Sequence, residues 1–208
     1  MTLHVGPHAL TSRAVHVHLA PGAGLRPLVV ADVLRRVAER RRHRVRLTAA
    51  ARFPADPADY NVRAPESLAP DTADVLISPA PAPGALLVPN ETGAPDPDPL
   101  VTRLALLEAP YRVPVALTPE TLRSAADRLA RYRRLVAEWA TSPGRPMHRP
   151  SAAEAEDALA ADLDTPEALA VLDRLAGSGE IPPGAKLETF VHVDLLLGLD
   201  VVAAIGTA

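Results

Sequence analysis

The sequence predicts an α/β half followed by an all-α half: a reduced Rossmann-like parallel sheet over residues 1–97, then a helical bundle over 98–208. Three observations carry this expectation. Strand, helix and strand periodicities follow one another between residues 13 and 50. Repeated helix-start signals occupy the stretch after residue 118. Charge also divides the chain. Residues 1–66 hold 11 Arg against 5 acids, residues 67–100 hold no base and 5 acids, and residues 101–208 hold 11 bases against 15 acids.

Arg13–Leu19 alternates around Val15 and Val17, the period of a half-buried strand. The turn Ala20-Pro-Gly-Ala-Gly24 follows. From Pro27 to Arg42, apolar residues at 29, 30, 33, 34 and 37 repeat with helical spacing. Arg44–Ala50, with Val45 and Leu47, reads as a second strand. A strand, a crossover helix and a strand this close favour parallel pairing with a right-handed crossover. Ala73–Ile77 and Ala85–Val88 are short apolar runs. Pro79, Pro81 and Pro83 between them confine both to edges or loops. Eight of the 23 prolines lie in 67–100, so the acidic segment 67–97 reads as linker-like.

Thr118-Pro-Glu opens a helix, with Thr118 placed to cap it and Pro119 in its first turn. Its apolar stripe runs Leu122, Ala125, Leu129, Tyr132, Val136, Trp139. Ser151 with Glu154 has capping-box spacing for a helix over 152–162. Thr165-Pro-Glu opens another, closed near Gly177, and Val191–Ala204 reads as a last apolar helix. Four helices on short links form a small bundle.

Composition removes several function classes. The net charge is −3, there is no Cys, and Lys186 is the single lysine. There is therefore no disulfide framework, no thiolate metal site and no catalytic thiol. No run approaches the ~18 apolar residues of a transmembrane span, and the N-terminus lacks the order of a secretory signal. The expected location is the cytoplasm, with no membrane partner.

Four stretches resemble one family. Arg26-Pro-Leu-Val-Val-Ala-Asp-Val-Leu-Arg-Arg36 resembles the helix after the HIGH motif of cysteinyl-tRNA synthetases. It equally resembles that of the related ligase that joins cysteine to glucosaminyl-inositol in mycothiol biosynthesis. Asp98-Pro-Leu-Val-Thr-Arg103, followed by Tyr111-Arg-Val-Pro114, is similar to the family's junction between catalytic and helical domains. Asp157–Leu172, with Asp162-Leu-Asp-Thr-Pro166, resembles its helix pair, and Leu195-Leu-Leu-Gly-Leu199 its closing motif. They occur in the family's order and touch roughly residues 14–50 and 98–200. The shorter mycothiol ligase is the closer comparison, because an anticodon-binding extension is not expected.

The resemblance implies a domain that activates cysteine with ATP, using HIGH histidines, a KMSKS loop and a cysteine-held zinc. Those parts are missing. Two lysines are needed for KMSKS, and the lone Lys186 lies in the helical region. Pro21–Leu25, just before the matching helix, contains no histidine. About fifty residues separate Arg46 from Asp98, where the family has well over a hundred. Losing one well-placed donor from such a site commonly costs ~3 kcal/mol, or 10²–10³ in rate. The expectation is a catalytically degenerate relative, not an enzyme, acting as a binding or regulatory module. Its partner would be another protein or a second copy.

Three residue sets remain as candidates. Gly22, Gly24 and Arg26 lie in a strand–turn–helix junction whose amides can hold a phosphate, which would support an ATP-binding ligase-like reading. Such turns also need glycine for backbone reasons alone. His16 and His18 share one strand face and can ligate a metal, zinc included; the alternative is an ordinary polar strand face. Arg35, Arg36, Arg40, Arg41 and Arg42 form a basic run that can meet RNA phosphates or an acidic partner. A solvated helix end explains the same run, and stacking aromatics are lacking.

Overall fold

The structure is a computed structural model that describes residues 3–53, 55–67 and 72–206. Part of the acidic segment, residues 68–71, therefore lies outside the described residues. The chain opens with an antiparallel hairpin, β1 (Leu3–Val5) and β2 (His8–Leu10). Strand β3 (Ala14–Leu19), helix α1 (Leu25–Arg40) and strand β4 (Arg44–Ala49) then form the expected parallel unit, with Val17 opposite Leu47. A 3₁₀ turn (Pro57–Tyr60) leads to β5 (Glu66–Ser67), and β6 (Val75–Ser78) and β7 (Leu86–Leu87) follow. The sheet order is β5-β4-β3-β6-β7, parallel throughout. This is the doubly wound order, and it reverses between β3 and β6.

That order corrects one expectation. The Ala73–Ile77 run is not confined to an edge: β6 lies inside the sheet, between β3 and β7. The prolines fall in the connection after Ser78, where no ladder hydrogen bond is required. Only the second run, β7, is an edge strand.

α1 has no side-chain cap at Gly24. Burial stabilises it instead. Leu28, Val29, Val30, Val33, Leu34 and Val37 are nearly inaccessible. Each such side chain contributes ~1.5–3 kcal/mol on burial, against ~1 kcal/mol for a missing cap. The helix is buried nearly all round because the sheet lies on one side and the bundle on the other. Alternation puts Val15, Val17 and Leu19 on one sheet face and His16 and His18 on the other.

After β8 (Thr92–Gly93), α2 (Pro99–Leu107) begins at Asp98, whose carboxylate accepts from the Leu100 amide. β9 (Ala116–Leu117) pairs with β8, and α3 (Pro119–Trp139), α4 (Arg149–Ala160), α5 (Thr165–Gly177) and α6 (Pro183–Leu197) complete the bundle. Thr118 caps α3 as expected, in a reciprocal box with Thr121. Ser151 does not cap α4. The helix starts earlier, at Arg149, because Pro150 suits its first turn, and the Ser151 hydroxyl bonds His148. The last apolar stretch is also two elements. α6 begins at Pro183 and ends at Gly198, which takes φ +70°. Val201–Ala204 is a separate 3₁₀ turn.

The two halves share one apolar core. They also share a buried ion cluster. Arg103 in α2 and Asp32 in α1 are both inaccessible and bond at 2.8 Å. Arg103 further donates to the carbonyls of Tyr60 (2.9 Å) and Leu197 (2.7 Å). A Cβ on Gly198 would sit 2.8 Å from Arg103 Nη2, so glycine is required there on packing grounds too.

Candidate functional site

In a sheet of this order, ligands bind beyond the strand C-termini where the order reverses. Here that crevice lies between β3 and β6, facing the first turn of α1. Helix N-termini present unpaired amides and the positive dipole end, which suits a phosphate. In this chain those amides are already bonded. The Glu91 carboxylate accepts from the Arg26 amide at 2.8 Å and the Leu25 amide at 3.3 Å. Asn90 accepts from the Gly24 amide at 2.7 Å and donates to the Gly22 carbonyl at 2.9 Å. The chain reaches this position after β7, where the Val88 amide bonds the Ser78 carbonyl. A Cβ on Gly24 would lie 3.0 Å from Asn90 Oδ1. Glycine here admits a protein side chain.

Arg26 turns away from the crevice. Its side chain is buried and donates to the carbonyls of Pro110 (2.8 Å) and Val113. Burial lowers its pKa to about 10, although the nearby Glu91 charge opposes the shift. Gly22, Gly24 and Arg26 therefore do come together, but around Asn90 and Glu91 and the loop at 109–113. No sequence rule couples residues 90–91 to residues 22–26. The available signal is that residues 67–100 hold five acids and no base of their own, which does not single out Glu91.

His16 and His18 converge as expected, on Thr48. His16 Nε2 lies 2.8 Å and His18 Nδ1 2.9 Å from the Thr48 hydroxyl. Burial, then the His16 charge, pushes the His18 pKa below its ordinary value. Among the described residues, no third His, Cys, Asp or Glu joins them in a group that could hold a metal ion.

The basic run is divided between the interior and the surface. Arg35 bonds Asp32 (2.5 Å) and Glu39 (2.8 Å). Arg36 bonds Asp32 (2.7 Å) and the Asn61 carbonyl (2.6 Å). Arg40 contacts Glu156, and Arg41 lies 3.9 Å from Asp157. Arg42 is exposed, at φ +68°. Burial opposes ionisation of Asp32, but Arg103, Arg36 and Arg35 outweigh it and hold the carboxyl below its usual range. Arg35 and Arg36 thus serve the α1 ion cluster and are not displayed as part of a stripe.

The motif residues near the bundle are joints as well. Asp162, at φ +79°, accepts from the Gly6 amide (2.6 Å), the Tyr111 hydroxyl (2.7 Å) and Arg112. Asp164 caps α5, and the Thr165 hydroxyl donates to the Leu107 carbonyl at 2.7 Å.

Comparison with known proteins meets these motifs. A Parafrankia sp. protein named L-cysteine:1D-myo-inositol 2-amino-2-deoxy-alpha-D-glucopyranoside ligase is 41% identical over 112 residues, 50% of this chain and 24% of its own length. The Thermomonospora curvata protein of the same name is 39% identical over 121 residues, covering 56% and 28%. That of Thermobifida fusca is 41% identical over 107 residues, covering 49% and 25%. Over about half of its length this chain is similar to these ligases. The chain spans about a quarter of the length of these ligases. No protein-family model matches it. Among the described residues, no helix is long and apolar enough to cross a membrane.

Proposed function

We propose that this chain is a catalytically silent relative of the cysteine ligases that works by binding rather than by adenylation. The observation that carries the reading is the Glu91 carboxylate on the Leu25 and Arg26 amides. A nucleotide phosphate at the same amides would have to displace a negative charge of this chain's own. Two further facts support it. The sequence holds no cysteine to grip a metal or a thiol. Its one lysine, Lys186, is buried in the bundle, donating to the Ala176 and Ser178 carbonyls. The binding surface is the sheet face opposite α1. Parallel sheets are ordinarily covered on both faces, whereas here Arg46 is exposed and His16 and Leu76 are half-buried, so the accessible part of this face is the end around Arg46 and His16, with His18 and Thr48 already buried. Another protein or a second copy of the chain would cover it.

The test is thermal unfolding with ATP–Mg²⁺, with and without cysteine. Ligand at a hundredfold over Kd adds ~2.7 kcal/mol of stability, an easily read shift. The wild-type chain is expected to show no shift up to millimolar ATP. A clear shift, increased by an amino acid, would refute the reading. Glu91→Ala serves as the second arm: any nucleotide-dependent shift should appear only there.

A further inference from the structure

Every residue of β4 pairs with β3. On its other side, β5 pairs with Thr48 and Ala49 alone. Residues 44–46 therefore form an open sheet edge among the described residues. Two bonds fix which way the backbone faces there. The Arg44 amide donates to the Arg13 carbonyl and the Ala50 amide to the Leu19 carbonyl, both toward β3. Peptide groups alternate along a strand, so Val45 turns its N–H and C=O to the open side. The side chains of Arg44 and Arg46 stand on the face opposite α1. They line a groove of about 370 Å³ with Ala14, His16 and Asp74. Arg44 is exposed, and its side chain makes no hydrogen bond or ion pair among the described residues. Arg46 bonds Glu66 at 2.8 Å, but both side chains are more than half exposed. A pair of that kind contributes little and yields readily to a competing carboxylate.

We propose that this edge takes an acidic segment of a partner protein as an added β-strand, its backbone on Val45 and two carboxylates on Arg44 and Arg46. The proposal rests on the binding reading above and chooses between the two partners named there. In strand addition, main-chain bonds supply affinity and alternate side chains supply specificity. Side chains directly opposite on paired strands share a face, about 5 Å apart. The residues opposite Arg44 and Arg46 are thus two positions apart and both acidic. Val45 faces α1 and packs against the core, so the residue between the two acids is apolar. Asp74 does not disturb this arrangement. It lies on the far side of β3, where its carboxylate accepts from the His16 amide at 2.7 Å. A second copy of the chain is the wrong occupant. Antiparallel pairing of two β4 edges centred on Val45 sets Arg44 of each copy opposite Arg46 of the other. Like charges placed directly opposite destabilise a pair, and charged side chains on an edge ordinarily prevent self-association. The same two arginines reject a copy of themselves and accept an acidic strand.

The test uses the full chain, isotopically labelled for NMR, and the capped peptide TVEVEVT. Saturable binding with Kd of about 1 mM or tighter is expected. The Val45 amide should become protected from hydrogen exchange as the peptide binds, a change that charge attraction alone does not produce. The neutral peptide TVQVQVT should bind about tenfold more weakly, as two cross-strand ion pairs are lost, and TVKVKVT should show no binding. Arg44→Gln, at an exposed position, should weaken TVEVEVT about threefold and leave TVQVQVT unchanged, with the same thermal unfolding. Val45→Pro removes the outward N–H and keeps the bonds to β3, as proline does at a sheet edge, so it should abolish binding. If that variant unfolds, Arg44→Gln and the Val45 amide decide. Absence of saturable binding, equal binding of TVKVKVT, an unprotected Val45 amide or an Arg44→Gln variant that binds as wild type would each overturn the proposal. So would tighter binding of a single-stranded oligouridine, which would make this a nucleic-acid surface. None of these results bears on ATP, so the proposal can fail while the silent-ligase reading stands, and the reverse.

Discussion

Replacing Asp32 with Ala tests how the two halves of the chain are joined. Asp32 and Arg103 are both fully inaccessible, and their side chains meet at 2.8 Å. Arg35 and Arg36 also bond Asp32, but their side chains are 9% and 17% exposed, so each can turn to water when the carboxylate goes. Arg103 cannot. It would keep its bonds to the Leu197 and Tyr60 carbonyls but remain a buried, uncompensated charge. Breaking a buried pair in this way costs ~3–5 kcal/mol. The two retained carbonyl bonds put the expected loss near the lower end, about 3 kcal/mol. Urea unfolding measures it, followed by circular dichroism and by fluorescence of Trp139, the single tryptophan and a residue of the bundle. At a urea m-value of about 2–3 kcal/mol/M, the midpoint should fall by about 1–1.5 M. Because the core is shared, the two probes should coincide in the wild type. Arg103→Met completes a double-mutant cycle. The double variant should be less destabilised than the sum of the singles, because it leaves no buried charge. A loss under about 1 kcal/mol for Asp32→Ala, or additivity within about 0.5 kcal/mol, would refute the reasoning.

Further outcomes follow from the same geometry. Gly198→Ala forces a side chain into a left-handed residue and against Arg103, so it should cost more than the ~1–2 kcal/mol of the backbone alone. Gly22→Ala, also at positive φ but with open space around it, should cost no more than that backbone figure, and thermal unfolding of the pair separates the two contributions. Stability should also fall with acid through His18. Burial and the His16 charge lower its folded pKa, so the unfolded chain takes up the proton first. The contribution of neutral His18 is intact above the ordinary value of 6.5 and is lost as pH falls through the folded pKa. Urea midpoints between pH 8 and pH 5 should decline below that value, and His18→Gln should flatten the decline. An unchanged pH dependence in that variant would assign the effect to other groups.

Local chemistry was largely legible before any coordinates. Periodicity placed β3, α1 and β4, because their apolar residues repeat with the period of each element. Thr118 capped α3 because a cap and its helix are neighbours in sequence. The motif stretches Arg26–Arg36, Asp98–Arg103 and Asp162–Pro166 pointed to the ligases. The missing thiols and second lysine were simple facts of composition, whereas the missing HIGH histidines were read from the resemblance. Where proximity in sequence misled, a competing local contact won: Pro150 moved the start of α4 back from Ser151.

The chain by itself therefore determined β3, α1, β4 and α3 and which side-chain types are present, but not the β1–β2 hairpin, α2 or the β8–β9 pair. Tertiary structure decided what the remaining groups face. The α1 amides looked like an open phosphate site, yet sheet order brings residues 90 and 91 across the crevice, 65–68 positions away in sequence. The arginine run looked like one surface stripe. Helical geometry instead turns Arg35 and Arg36 toward Asp32, which a helix 71 residues later also binds through Arg103. Hydrogen bonds and ion pairs act over a few ångströms in space. A one-dimensional pattern shows which groups exist, and only the packed sheet and bundle select the pairs that meet.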